Sequence, residues 1–407
     1  MKVVVIGCGA SGISAAISIK RKNKDCDVII FEKEDKPLKK VLKTGNGRCN
    51  YYNSNQNLEN YHSSNNDLIS NIINEKNLKQ LLSFYDSIGI VPKIKNGYYY
   101  PYSNQSSSVV NLLLSEAKNL GIKIEVNSNV TSIEKDNNKF IIKYNGKNLK
   151  ADKVVVSTGS YSSFQNIDKV NSYDLLRRVG HSTTKILPSL VQLRTKGNYL
   201  KKWSGVRCNA KVSIFIDNRL TRQEEGEIQL TDYGISGICI FNISGIASLN
   251  LYQKKKCTVE IDFLKDIENI SDFFESRSNS LGNRNCRDFL EGIFNTRLID
   301  VLLDNANVSK EKVYKKLNDE ERENLFKTIK RFSVEVIGTN DFSRSQVSLG
   351  GVRLDEIDSK TMESKIIDNL YITGEVLDVD GCCGGYNLTF AFLTGLIVGR
   401  GISNDKS

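Results

Sequence analysis

The stretch from Val3 to Glu32 constrains this chain more than any other. Val3-Val4-Val5-Ile6 is a continuous apolar run, the pattern of a strand buried on both faces, and it leads directly into Gly7-Cys8-Gly9-Ala10-Ser11-Gly12. Helical spacing follows through Ile13, Ala16, Ile17 and the stem of Lys20. A polar cluster from Arg21 to Asp27 ends the helix, and a second apolar run, Val28-Ile29-Ile30-Phe31, closes on Glu32. In the order strand, glycine turn, helix, strand, acid, each residue type has a task. Gly7 allows the tight turn, Gly9 lets the backbone approach a pyrophosphate, and Gly12 permits close packing of helix on strand. The helix N-terminus adds N–H groups and a positive dipole. Glu32, twenty residues past Gly12, stands where a carboxylate takes ribose hydroxyls. The context implies a dinucleotide site.

With 407 residues the chain has room for two or three domains and a large core. Its most apolar long stretch, Leu388 to Val398, is interrupted by Thr389, Thr394 and Gly395, so no membrane span is expected. The apolar N-terminus is the nucleotide-binding strand and not a leader, which makes the expected location cytoplasmic. Nine cysteines without paired spacing and two histidines favour neither a disulfide framework nor a metal site. The net charge of +10 comes from runs such as Lys20 to Lys24, Lys36 to Lys43 and Lys254 to Lys256. Without aromatic interleaving these read as solvated surface, not as a nucleic-acid track.

Further along, Thr44-Gly45-Asn46-Gly47-Arg48-Cys49-Asn50 is a compact loop with free backbone N–H groups and one cation. It suits an anionic or carbonyl-rich ligand, and equally an ordinary turn. Helical periodicity covers Leu68 to Phe84 and Val109 to Leu120, and Gly97 to Tyr102 reads as a short strand. Residues 122–126, 130–133 and 140–144 read as strands, the last two paired antiparallel. Lys153 to Gly159 is a buried strand, so Thr158 and Gly159 at its C-terminal end are expected to meet the ligand of Gly9. Past Pro188 short alternating segments, with a hairpin turn at Asp217-Asn218-Arg219, predict an inserted antiparallel β-barrel-like module over 190–265. A helical module is expected over 266–335. Glycine-rich texture then returns: Leu370-Tyr371-Ile372-Thr373-Gly374-Glu375 is a strand ending in Gly-Glu, and Asp378 to Asn387 leads into a helix from Leu388 to Arg400. The expected fold is α/β, with one ligand domain assembled from residues 1–189 and 336–407.

Several of these strings together resemble the BaiN-like, or YhiN-like, family of bacterial FAD-dependent oxidoreductases. They are the glycine motif with Glu32, Gly45 to Asn50, Thr231-Asp232-Tyr233-Gly234-Ile235-Ser236-Gly237, Gly350-Gly351-Val352, Thr361 to Lys365, and Gly374 to Asn387. The resemblance implies a glutathione-reductase-type, Rossmann-like FAD domain. In it Gly7, Gly9, Ala10, Ser11 and Gly12 would hold the pyrophosphate, Glu32 the adenosine ribose with Lys33 beside it, and Val130 the adenine through its backbone. Thr158 and Gly159 would line the same pocket, and Gly374-Glu375 would reach the ribityl chain. The loop of Asn46, Gly47, Arg48 and Cys49 and the turn of Gly384, Gly385, Tyr386 and Asn387 would flank the flavin ring. A cation or helix N-terminus there can stabilise negative charge on the reduced flavin.

Substrate is expected over the ring, near Asp232, Tyr233 and Cys383. Tyr233 would donate a proton or hydrogen bond; the alternative is that the glycines around it make a barrel corner. The implied activity is hydride transfer between reduced FAD, recharged by NAD(P)H, and a small organic molecule such as an unsaturated or steroid-like carbonyl compound. A flavoprotein acting on or binding tRNA and a redox sensor without turnover are the rivals. This chain departs from the family pattern at Ser160 and the glycine-free segment Tyr161 to Tyr173. Cys382-Cys383 reads as a chance neighbour pair, since a vicinal disulfide is strained.

Overall fold

The computed structural model describes residues 1–163 and 172–404. It divides into two compact units, Met1–Leu187 with Val347–Ser407, and Pro188–Gln346.

In the first unit a five-stranded parallel sheet runs in the order 370–372, 153–156, 2–6, 27–31, 123–125. The Lys2–Ile6 strand lies at the centre, with Val4 paired to Val154 on one side and Ile29 on the other. Covered by neighbours in the sheet and by helices on its faces, Val3, Val4 and Val5 are completely buried. This is why the run carries no polar alternation.

The two chain ends join helix to helix. Ala10–Lys22 lies against Tyr386–Asn404, and a Cβ on Gly395 or Gly399 would collide with Ser14 Oγ or Ser18 Oγ. Those hydroxyls donate across the contact, Ser14 to Phe392 O and Ser18 to Leu396 O, both at 3.1 Å. Small residues let the backbones come this close, and the serines use the proximity.

Local departures have local reasons. The helical stretch from Leu68 to Phe84 breaks into Ile69–Ile72 and Glu75–Ser87, because Asn74 caps the second helix by accepting the Asn77 N–H. The expected pair at 130–144 gains a third strand, Lys147–Ala151. The Tyr98–Pro101 strand is one arm of a hairpin with Pro92–Lys95 and also pairs with Tyr52–Asn53.

The second unit contains a closed six-stranded antiparallel barrel. Arg207–Ile216 and Arg219–Leu230 form its long hairpin, turning at Asp217 and Asn218 with φ of 47° and 65°, the left-handed pair that a tight hairpin requires. Phe332–Thr339 pairs with both Leu193–Lys196 and Cys257–Asp262 and so closes the ring. The expected boundaries are corrected by this strand. It straddles 335/336, so the helices of 266–331 lie between two barrel strands, and barrel and helices form one unit and not two modules. A helix over Ile238–Tyr252 also went unanticipated. It is apolar nearly all round, and periodicity gives no signal for such a segment.

Candidate dinucleotide site

Three glycines of the first turn divide their tasks by what surrounds them. Gly7 has φ of +100°, and a Cβ there would strike the Ser157 carbonyl. On Gly12 a Cβ would strike the Gly7 carbonyl. On Gly9 it would meet nothing within 4 Å. Gly7 and Gly12 are therefore glycines because of the protein's own packing, and Gly9 alone opens outward. Gly9 caps the helix that starts at Ala10, whose first-turn N–H groups, including those of Ser11 and Gly12, have no intrahelical acceptor. This end of the helix borders a cleft of 460 Å³, within the range of about 300–1,000 Å³ that ligand pockets occupy. A larger hollow of 620 Å³ beside Met1 and Asn369 has no helix N-terminus and no glycine turn.

Glu32 forms the next wall of the cleft. It is 8% exposed, and each carboxylate oxygen accepts one backbone N–H, Oε2 from Cys8 at 2.8 Å and Oε1 from Glu34 at 2.9 Å. Each oxygen keeps acceptor capacity for a second donor. This donor set fits FAD: an open glycine at a helix N-terminus for a pyrophosphate, and a buried, aligned carboxylate for ribose hydroxyls. Lys33, Val130, Thr158 and Gly159 line the same cleft. Burial pushes the Lys33 ammonium below its ordinary value, against the raising pull of Glu34 and Glu32.

Opposite stands a cluster that no local pattern revealed. Glu375 accepts from Lys40 Nζ at 2.5 Å, Ser160 Oγ at 2.6 Å and Ser162 Oγ at 2.8 Å. Burial raises its carboxyl pKa, but Lys40 and the two hydroxyls outweigh that and hold it below the usual value. Ser160, one of the departures from the family pattern, thus has a partner that glycine could not bind. Residues 164–171 of the other departure lie outside the described residues. The Lys36 to Lys43 run also needs correction. Lys36, Lys39, Lys40 and Lys43 line the cleft and are not only solvated surface. Gly374, with φ of +75°, is glycine because a Cβ would collide with Ser11 of the first helix.

A second gathering lies around the start of the C-terminal helix. A Cβ on Gly384 would meet the Tyr98 ring at 2.7 Å, and one on Gly385 would meet Tyr52 O at 2.9 Å and the Asn50 side-chain amide at 3.0 Å. Asn53 Nδ2 donates to Gly384 O at 3.0 Å, and Asn387 clasps Gly381, donating to its carbonyl at 2.7 Å and accepting its N–H at 2.9 Å. The loop of Asn46, Gly47 and Arg48 is exposed beside the same tyrosine hairpin. Cys49 differs from expectation: its thiol is fully buried, and burial pushes it up to about 11 despite a hydrogen bond from Thr44. Tyr386 is likewise buried, edge-on to Tyr61 at 5.5 Å, and Cys383 is half-buried.

Asp232 and Tyr233 belong to the second unit, where they form the turn between Arg219–Leu230 and Gly234–Gly237. Thr231 N and Oγ1 both donate to Gly234 O, at 2.9 and 3.0 Å. Added Cβ atoms on Gly234 and Gly237 would collide with Leu193 O and Glu227 O of adjacent strands. The glycines of this stretch therefore serve a tight barrel corner. Asp232 is exposed and Tyr233 half-buried.

Comparison with known proteins agrees with this geometry. The family described as HI0933-like protein Rossmann domain matches residues 1–401. The chain belongs to that family. A 3-dehydro-bile acid delta(4,6)-reductase of Clostridium scindens is 36% identical over 401 residues, covering 98% of each protein. A ribosomal RNA dihydrouridine synthase of Escherichia coli is 25% identical, covering 96% of this chain and 94% of the relative. Among solved structures, the 3-ketosteroid delta1-dehydrogenase of Sterolibacterium denitrificans shares the fold at a TM-score of 0.52 with 11% identity, covering 99% of both chains. This HI0933-like protein is an FAD-dependent oxidoreductase. Among the described residues no helix is long and apolar enough to cross a membrane.

Proposed function

We propose that this HI0933-like protein reduces a C=C bond conjugated with a carbonyl in a small, steroid-like molecule, using FAD recharged by NADH or NADPH. The observation that carries the reading is the 36% identity, along essentially the whole chain, to a reductase whose name specifies a 3-dehydro-bile acid and its delta(4,6) bonds. In this reading Gly9 and the first helix hold the pyrophosphate, Glu32 the ribose, and Glu375 the chain beyond it. The ring end lies toward Gly384 and Gly385. Bound FAD supplies the hydride equivalent. The chain's own part is to orient the conjugated bond, exclude water, and stabilise the negative charge that builds on the carbonyl oxygen as the β-carbon is reduced; a proton then completes the α-carbon.

Anaerobic reduction with NADH and NADPH in separate runs, followed by addition of 3-oxo-Δ4 and 3-oxo-Δ4,6 steroids, tests this. The expected result is prompt return of the oxidised flavin spectrum with formation of the saturated product. A flavin that stays reduced with every such compound defeats the reading. A second reading, reduction of a pyrimidine in RNA, draws on the Escherichia coli relative and on the net charge of +10. Filter binding of ribosomal RNA across salt separates the two, because phosphate contacts give a steep salt slope.

A further inference from the structure

The proposed reduction ends with a proton on the α-carbon. A protein group that supplies it must be an acid near the ring end of the cofactor, with access to water for its own recharging. This is a separate demand from the hydrogen bond at the carbonyl oxygen that Tyr233 could make. One cluster in the first unit meets it: His62, Asp380 and Cys382.

A short antiparallel pairing brings the cluster together, with His62 opposite Asp380 and Tyr61 opposite Gly381. Successive residues of a strand face opposite ways. Tyr61 accordingly turns inward, buried and edge-on to Tyr386 at 5.5 Å, while the His62 side chain stays 33% exposed. Cys382 N donates to Asn60 O at 2.9 Å and extends the pairing past Tyr61. The partner segment is fixed to the last helix. Asn387 clasps both backbone groups of Gly381, and a Cβ on Gly381 would stand 2.7 Å from the Tyr386 Cβ. His62 is therefore anchored beside the first turn of the helix that follows Gly384 and Gly385, where the ring end of the cofactor is proposed.

The surroundings suit an acid. His62 Nδ1 lies 3.7 Å from Asp380 Oδ2, and that carboxylate is 2% exposed. Burial disfavours the protonated imidazole, but Asp380 and Cys382 outweigh it and favour that form. Asp378, two positions earlier, is turned to Ser64, accepting its N–H at 3.1 Å and its hydroxyl. The Tyr61 and Tyr386 phenols and the Cys383 thiol complete the titratable groups of residues 61–64 and 378–387. The chain has one other histidine, His181, and its ring is enclosed, with its two nitrogens 2.8 Å from Glu356 and Ser364. It has no path to a substrate.

We propose that His62 is the catalytic acid that protonates the α-carbon, with Asp380 the positioning residue that orients its ring. As the β-carbon gains the hydride, the electron pair displaced toward the α-carbon takes the proton. One N–H bond of the imidazolium breaks, a C–H bond forms, the ring is left neutral, and water restores its proton. The assignment rests on the reductase reading and names the residue that completes its last step.

The test follows single-turnover reoxidation of the reduced, FAD-loaded protein by a 3-oxo-Δ4 steroid across pH. Parent, His62→Gln, His62→Ala and Asp380→Asn are compared, with FAD content, affinity of the oxidised protein for the same steroid, and histidine NMR measured beside the rates. His62→Gln is expected to keep FAD and steroid affinity while reoxidising about 10²- to 10⁴-fold more slowly. Added imidazole is expected to restore part of the rate to His62→Ala. In Asp380→Asn the NMR titration of the ring and the alkaline limb of the rate should move down in pH together. Reoxidation of His62→Gln at the parent's rate overturns the assignment. So do a His62→Ala rate that imidazole leaves unchanged, loss of FAD from both His62 variants, and an alkaline limb that stays in place while the NMR titration moves. Failure of the reductase reading looks different: no 3-oxo-Δ4 or 3-oxo-Δ4,6 steroid reoxidises the parent itself, and the assignment falls with it.

Discussion

The Glu32 carboxylate accepts the Cys8 N–H at 2.8 Å, tying the acid at the end of the second strand to the middle of the glycine turn. One side chain thereby aligns both halves of a nucleotide site. Glu32→Ala removes the proposed ribose acceptor and leaves the Cys8 and Glu34 amides without their partner. We expect FAD affinity to fall by about 1–3 kcal/mol, read as released flavin fluorescence on dilution. Full retention of FAD by the mutant would remove Glu32 from the site.

Glu375 yields a prediction in acid. Its carboxyl is held below the ordinary 4.5 in the fold, because Lys40, Ser160 and Ser162 outweigh the raising effect of burial. The stability it contributes is present above the unfolded value and is lost as pH falls through the lower folded one. Glu375→Gln should therefore be less stable than the parent near neutrality, and the gap should narrow as pH falls through the lowered folded value. Denaturant midpoints followed by circular dichroism across that range provide the check, and parallel curves would contradict it.

His62 predicts the opposite limb. Burial alone would lower its pKa, but Asp380 and Cys382 prevail and raise it to about 10 from the ordinary 6.5. The imidazole lies 3.7 Å from the Asp380 carboxylate. A raised base contributes stability that is complete below its unfolded value and is lost as pH climbs toward the folded one. Histidine NMR should show one ring titrating well above 6.5. Asp380→Asn should bring it down, and a ring that titrates normally in the parent would refute the pairing.

Tyr233 offers a kinetic test. At the barrel turn its backbone carbonyl accepts the Thr195 N–H at 3.1 Å, which orients the residue independently of its hydroxyl. Tyr233→Phe should keep FAD and the rate of reduction by the nicotinamide donor. Reoxidation by the organic acceptor should slow, by the 10²- to 10⁴-fold typical of a lost proton donor. Reoxidation at the parent's rate with every acceptor would reduce Tyr233 to a structural residue.

What the sequence determined by itself was the nucleotide-binding half of the first unit. Strand, glycine turn, helix, strand and acid are set by local rules: Gly7 by its positive φ, Gly12 by close packing, and the Val3–Ile6 and Val28–Phe31 runs by double-sided burial. The hairpin at Asp217-Asn218 was legible for the same reason, since its left-handed residues are chosen locally. Tertiary structure decided the rest. Lys40 and Glu375 are separated by 335 positions, and nothing near either one announces the other. They meet because Gly395 and Gly399 let the last helix settle onto Ser14 and Ser18 of the first. Whether Cys49 faced a ligand or the core, and whether Arg48 found an acid or the Tyr100 ring, depended on how the loop settled on a hairpin about 50 residues further on. Closure of the barrel by Phe332–Thr339, past four intervening α-helices, is the same kind of fact. Local backbone geometry is encoded residue by residue, whereas a contact between distant segments exists only once packing has brought them together.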